Sequence, residues 1–316
     1  MQLFKQETQI GFIQLRKKAL IFSALLIFAS LYSLATEGLN YGIDFTGGTK
    51  IELTYQNDVA AADIRALLVD SGYSDAVVQH FGSNKDILIR IPLSSENSSA
   101  KVSTSIVEML KQESTTEIDL RSVEFIGPQF GKELFEQGIL ALVYALIGVM
   151  IYVAFRFEWK FSLGSVAALI HDIIITVGFF SIFGLEFTLP VLAALLAVIG
   201  YSLNDTIVVF DRIRENFRKL REANTEQTMN VSINQTLPRT ILTSLTTLLV
   251  LLALYIAGGD ALNGFAATLI IGVVIGTYSS IFVASPTVLA LGVKADDLIV
   301  EEIEKEGAEH PDLHLP

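Results

Sequence analysis

Apolar residues in this chain gather into six long blocks with almost no charge between their ends: roughly 19–35, 139–155, 161–183, 187–210, 240–257 and 264–286. Each approaches or reaches the ~17–25 residues a bilayer-spanning helix needs. Between the first two blocks the pattern changes. Residues 50–56 alternate apolar and polar as a strand does, and 59–71 place Ala61, Ile64, Leu67 and Leu68 at helical spacing. Residues 75–81 and 85–92 read as two strands around Gly82-Ser83-Asn84; Val102, Ile106 and Leu110 form a helical stripe within 98–113, and 118–126 alternates again. The order is β-α-β-β-α-β, a ferredoxin-like α+β domain. The predicted architecture is therefore an α-helical polytopic membrane protein, with six transmembrane helices and one such domain between helices one and two.

Composition agrees with the blocks: 51% of the 316 residues are hydrophobic, 18% are charged and mean hydropathy is +0.52. Lys and Arg fall in short flanks: Arg16, Lys17 and Lys18 before span one, Arg156 and Lys160 between spans two and three, and Arg212 to Arg221 after span four. The loops 184–189 and 258–263 hold none. The excess of basic residues on the cytoplasmic side then puts both termini in the cytoplasm. It gives a cytoplasmic N-terminus and first span over residues 1–35, an extracytoplasmic domain 36–138, spans two to six over 139–292 with a cytoplasmic loop 211–238 that is helical at first and lies along the membrane surface, and an acidic tail 293–316. The first span reads as an uncleaved anchor. The net charge of −12 divides accordingly, −8 in residues 36–138 and −6 in the tail, while residues 1–35 carry +3. This balance speaks against nucleic acid. With no cysteine and four histidines, neither thiolate chemistry nor a metal site is expected. Enzyme signatures of the HExxH, GxSxG, GxGxxG and Walker types are missing, so no enzyme and no cofactor are expected.

Ionisable groups inside apolar spans are costly and need a partner or a function. His171-Asp172 lies about eleven residues into span three, roughly 16 Å deep. Asp205 lies near the cytoplasmic end of span four, with Ala194, Ala197 and Ser202 at i−11, i−8 and i−3. Span five is expected to start at Pro238-Arg239; Arg239, Thr243, Thr246 and Thr247 make a polar stripe on it. An Asp205–Arg239 ion pair is expected. It reads as a proton path in which Asp205 titrates beside Arg239, as a buried structural pair, or as a charge at headgroup level with Arg239 snorkelling from the end of its segment. Asp172 reads either as a second titrating group or as one satisfied by a neighbouring Ser or Thr. Gly272 and Gly276 suit close helix packing, with Thr277 and Ser280 continuing a polar face. Gly42-Ile-Asp-Phe-Thr-Gly-Gly48 is glycine-rich but lacks phosphate-loop spacing; it reads as a tight connection into the domain's first strand, or as a flexible joint.

Taken together, Gly42, Asp44, Phe45, Gly47 and Gly48, the His171-Asp172 pair, the segment AVIGYSLNDTIVVFDRIREN (197–216) and TLPRT (236–240) resemble the SecD/SecF family of bacterial protein-export membrane proteins, on its SecF side, within the resistance-nodulation-division superfamily. The resemblance implies a multi-pass protein of the bacterial cytoplasmic membrane. It implies a SecD-like partner, work alongside the SecYEG channel on exported polypeptides, and a supply of energy from protons. It assigns the proton path to Asp205 and Arg239, above the Asp172 that depth alone ranks first; Asp172 and His171 stay as secondary candidates, and Ser202, Asn204, Thr206 and Thr243 as relay neighbours. Two other functions fit the spans: a proton-driven small-molecule exporter, against which the single small outer domain argues, and a non-transporting assembly subunit.

Overall fold

The computed structural model describes residues 8–81, 83–92, 99–113, 117–220 and 223–294. The chain runs through α1 (Arg16–Thr36), β1 (Asn40–Tyr41), α2 (Ile43–Thr46), β2 (Gly48–Tyr55), α3 (Ala61–Asp70), β3 (Val77–Phe81), β4 (Ser83–Pro92), α4 (Ser99–Glu113), β5 (Ile118–Ile126), α5 (Pro128–Arg156), α6 (Trp159–Ile182), β6 (Glu186–Phe187), α7 (Leu189–Lys219), α8 (Thr225–Ala257) and α9 (Asp260–Ser279). A π-helical turn (Ser280–Ala284) then leads into α10 (Ser285–Ala290). Among the described residues six helical segments are long and apolar enough to cross a membrane, the last being Leu262–Ala290.

Strands β2 to β5 and helices α3 and α4 form the α+β domain. Its antiparallel sheet has the order β3-β4-β2-β5, which places the first and third strands at the centre as a ferredoxin-like domain requires. Ile51 pairs with Ile89 on one side and Val123 on the other. The period-2 alternation turns Ile51, Leu53, Tyr55, Ile87 and Ile89 onto one face, where Ile64, Leu68, Ile106 and Leu110 cover them. Burying such side chains stabilises the domain by about 1.5–3 kcal/mol each.

On the opposite face Asp86 accepts hydrogen bonds from Thr54 Oγ1 (2.6 Å) and Ser83 Oγ (2.7 Å). Those hydroxyls, with Arg121 adding to them, hold its carboxyl below the usual 3.8. A depressed pKa stabilises the fold above the unfolded value, and that stabilisation is lost as pH falls through the folded value. Asp86→Asn should therefore lower the melting temperature at pH 7, and the gap from wild type should close below pH 3.8. A gap that does not change with pH would refute the assignment.

In the bundle, α6, α7 and the α9–α10 span are the interior helices. The others show large apolar side chains outward, among them Leu25 and Phe28 of α1, Phe155 of α5 and Ile256 of α8. That outward face is what lipid requires. The glycine pair packs as expected: a Cβ at Gly272 would meet Val198 Cγ2 at 2.1 Å, and one at Gly276 would meet Ser202 Cβ at 2.9 Å, so α9 lies tight against α7.

Three boundaries differ from the hydropathy reading. First, α5 begins at Pro128 rather than 139, so the stretch 128–138 is helix rather than a piece of the α+β fold. Second, the segment 211–238 is helical at first, as expected, because α7 runs on to Lys219, but its second half is helix too: α8 starts at Thr225, capped by Asn224 and Gln227 in a reciprocal box. Pro238 therefore lies inside α8 instead of starting a helix. Proline removes the N–H that would bond the Asn234 carbonyl, at a cost of about 3 kcal/mol. The helix persists because its neighbouring turns are held from outside. Met229, Ile233 and Leu237 are buried in a cluster with Phe12, Ile13, Phe157 and Phe217. Asn234 clasps the backbone of Ile10 in both directions, at 2.9 and 2.8 Å, and Asn230 Oδ1 accepts from Ile13 N at 2.9 Å. Third, the sixth span continues past Pro286 to Ala290: the wider turn accommodates the proline, and Ser285 Oγ bonds the Ser280 carbonyl at 3.0 Å. The acidic tail from residue 295 onward lies outside the described residues.

Candidate functional site

The polar interior of the bundle has two centres about one helical turn apart along α7. The first is built on Asp172, which is fully buried, with His171 beside it at 3% exposure. Asp172 Oδ1 shares a hydrogen bond with His171 Nδ1 (2.9 Å), and Oδ2 accepts from Ser202 Oγ (2.6 Å) on α7 and Ser279 Oγ (2.8 Å) on α9. The network continues to α1. His171 Nε2 is 3.2 Å from Ser23 Oγ, Ser23 Oγ is 3.0 Å from Tyr278 Oη, and Tyr278 Oη donates to the Ala19 carbonyl at 2.8 Å. Four helices thus converge on one carboxylate, and both its oxygens are bonded.

The second centre is Asp205, 2% exposed. The hydroxyls of Thr277 and Ser244 face its carboxyl and bond each other at 2.7 Å. Its Oδ2 is buried with no hydrogen-bond partner. The expected ion pair with Arg239 does not form: among the described residues no ion pair joins the two, although Arg239 is near enough to act on Asp205 electrostatically. Arg239 sits on the exposed side of α8, because the helix carries it past Pro238 without turning it inward.

The other expected neighbours divide. Ser202 belongs to Asp172 rather than Asp205. Thr206 and Thr243 spend their hydroxyls on backbone carbonyls of their own helices, Thr206 on Ser202 and Thr243 on Arg239 and Thr240. Asn204 and Ala197 face outward together with Gly200, because on α7 they occupy the stripe opposite the buried Ser202 and Asp205. Ser23, Ser244, Tyr278 and Ser279 do not stand out from hydropathy and depth. A signal exists for two of them: Tyr278-Ser279-Ser280 is a polar triplet within an apolar span; Ser23 and Ser244 each stand among several hydroxyls of their spans, so nothing in the sequence singles them out.

The glycine-rich segment 42–48 is a rivet between the α+β domain and the bundle. β1 pairs in parallel with β6, in the loop between α6 and α7, and Gly42 N donates to the Phe187 carbonyl at 2.9 Å. Phe45 is buried among Phe180, Phe187, Val191 and Leu192. Gly47 has φ +80° and ψ 159°, a conformation open essentially to glycine alone. A Cβ at Gly48 would stand 2.5 Å from the Ile91 carbonyl. Asp44 Oδ2 accepts from Leu189 N at 2.8 Å, satisfying an orphan donor at the start of α7. Arg90 of β4 adds an ion pair to Glu186; burial pushes the Glu186 carboxyl up, against the pull of Arg90. This packing favours the tight connection over the flexible joint. Asp44→Ala should cost about 1 kcal/mol at this cap. It should raise amide exchange in the first turn of α7 about fivefold while leaving the middle of α6 unchanged. Unchanged exchange at Leu189 would refute the cap.

Comparison with known proteins follows the same division between rivet and bundle. Residues 32–59 match the SecD/SecF GG motif. Residues 106–294, covering most of the bundle, match the C-terminal model of protein export membrane protein SecD/SecF. The protein translocase subunit SecF of Vibrio alginolyticus is 46% identical over 312 residues, 99% of each chain. That of Pseudomonas aeruginosa is 48% identical over 92% of this chain and 94% of its own. The crystal structure of SecDF from Thermus thermophilus, a translocon-associated membrane protein, superposes with a TM-score of 0.78 at 37% identity. This chain covers 39% of that SecDF chain's length, and 92% of this chain is matched. It is a multi-pass membrane protein, and it belongs to the SecD/SecF family of protein-export membrane proteins.

Proposed function

We propose that the chain is the SecF-type half of a SecD–SecF complex in the bacterial cytoplasmic membrane, with both termini in the cytoplasm. In this reading it assists the SecYEG channel by coupling proton entry to polypeptide export. The observation that carries the reading is the buried Oδ2 of Asp205, which has no hydrogen-bond partner. A carboxylate held without an acceptor's full complement of donors at this depth is costly, and a proton removes that cost. Protonation and release at Asp205 therefore change the balance between Thr277, Ser244 and Arg239, which belong to α9 and α8.

The Asp172 centre supports this by holding a proton of its own. Tyr278 spends its proton on Ala19, so Ser23 supplies the one between Ser23 and Tyr278, and His171 Nε2 donates to Ser23. The remaining proton of the pair lies between Nδ1 and Asp172 Oδ1. His171 and Asp172 are thus neutral together, and they tie α1 to α6, α7 and α9.

A SecD-like partner has a place to dock. Ala193, Ala197, Gly200 and Asn204 form an exposed stripe of small side chains along α7, which lets another helix approach closely, and the exposed Arg239 would then be enclosed. The test uses inverted membrane vesicles carrying the complex. Wild-type export should slow when a protonophore collapses the gradient, and Asp205→Asn export should already be at that slower rate. Protonophore sensitivity that survives in Asp205→Asn would overturn the relay. A purified chain that moves protons with a small solute in proteoliposomes lacking SecYEG would favour the exporter reading instead.

A further inference from the structure

At the basic end of the bundle three guanidiniums gather where the topology rule alone would let them spread into water. Arg156 closes α5, and Arg214 and Arg218 lie on consecutive turns of α7. The guanidinium carbons of Arg156 and Arg214 each stand 5.1 Å from the centre of the Phe157 ring. That ring is buried against Phe161 and Phe210, so it is a fixed platform. Arg156 and Arg218 both repel Arg214. The carboxylates in range are Asp211, bonded to Arg156 at 3.2 Å, and Glu158. Among the described residues that act on Arg214, two guanidiniums are matched by two carboxylates, which leaves the charge of Arg214 itself over. Arg214 donates from Nη1 to the Arg156 carbonyl at 3.2 Å, while its buried Nε–H meets no acceptor. Its protein bonds therefore do not account for where it is held. Arg156 and Arg218 are exposed and Arg214 is half-buried, so a ligand can reach this group from outside.

The surroundings say which anion. Phe155 is 89% exposed and Trp159 58%, on either side of Arg156 in the chain. An exposed Trp marks the headgroup layer, and Phe155 adds apolar surface beside it. Along α5, Ile147 and Ile151 continue the exposed face as hydrocarbon. The geometry points to a binding site for one anionic phospholipid, its phosphate held by Arg156, Arg214 and Arg218 and its acyl chains laid along α5. Guanidinium forks suit a phosphodiester because two N–H groups meet two oxygens in one plane. The aromatic and aliphatic neighbours select a lipid over a free phosphate.

The full chain in mild detergent, titrated with phosphatidylglycerol or phosphatidylcholine and read by native mass spectrometry, tests this. Phosphatidylglycerol should bind about tenfold more tightly, and Arg218→Gln or Arg156→Gln should each remove about that tenfold, equal to ~1.4 kcal/mol. Arg156→Lys should keep some of the preference, and Lys132→Gln at the opposite end of α5 should keep all of it. Arg218 is exposed, so its replacement tests the site without threatening the fold. Equal affinity for the two lipids, variants that keep the full preference, or glycerol phosphate binding as well as the intact lipid would each overturn the proposal.

Discussion

Asp205→Asn should remove the proton-driven share of export while leaving a folded, partner-bound chain. Asparagine keeps the volume, and its side chain can still meet Thr277 and Ser244. Because Oδ2 has no partner to lose, the melting temperature should stay within ~2 °C of wild type, as for a change well under 1 kcal/mol. What disappears is the ability to take up and release a proton. One charge crossing 100 mV gains about 2.3 kcal/mol, an upper bound of roughly 50-fold on the rate that coupling can supply. An expected fall of about tenfold or more in gradient-stimulated export lies within that bound. ATP-driven export without a gradient should be unchanged. Asp205→Glu, which keeps the titrating group, should recover some of the stimulation. A variant that unfolds, or fails to co-purify with its SecD-like partner, would place Asp205 among structural residues instead.

The second large effect is expected at Asp172, and it is of another kind. Asp172→Ala removes the acceptor for Ser202, Ser279 and His171 at once, at a site with no exposed surface. Leaving buried donors unpaired costs about 1–3 kcal/mol each. The purified full chain should therefore melt many degrees lower and lose protease resistance in α6 and α9. Asp172→Asn should lose far less: its amide oxygen can take the place of Oδ2 and accept from both serines, while its NH2 faces His171 Nδ1. If Asp172→Ala melts with wild type, the network is dispensable to the fold. If Asp172→Asn melts normally but loses gradient-stimulated export, the proton held by His171 and Asp172 belongs to the transport cycle.

Much of this architecture is legible in the sequence. Alternation along 50–56 and 118–126 reports strands because a sheet with one covered face must alternate, and the six apolar blocks report spans because lipid admits little else. The boundaries are less legible where helices leave the membrane. In α5 the turn containing Lys132, Glu133 and Glu136 is helical yet polar, so hydropathy ends at 139 while the hydrogen bonds do not. Pro238 carries a local signal for a helix start that the packing of Ile233 and Leu237 and the Asn234 clasp override. Depth alone finds the buried carboxylates, but it does not find their partners. Which of Ser202, Thr206 or Asn204 turns inward depends on the rotation of α7 against α9, set by Gly272 and Gly276. The β1–β6 pairing is invisible in the sequence because it joins two dipeptides far apart in the chain.

That small pairing decides how motion would be transmitted. From Leu189, where Asp44 seats α7, to Asp205 is sixteen residues of unbroken helix, about 24 Å. A tilt of only ~5° pivoting at Asp205 would carry the seated end sideways by ~2 Å. Because the seated end is clamped to β1, α2 and, through Arg90, to β4, there is no slack for the displacement to vanish into. The helix behaves as a crank, and the domain as the load bolted to its far end. Engineering slack there, for example by lengthening the loop around Glu186 with glycines, should uncouple the two without touching a single group that carries a proton.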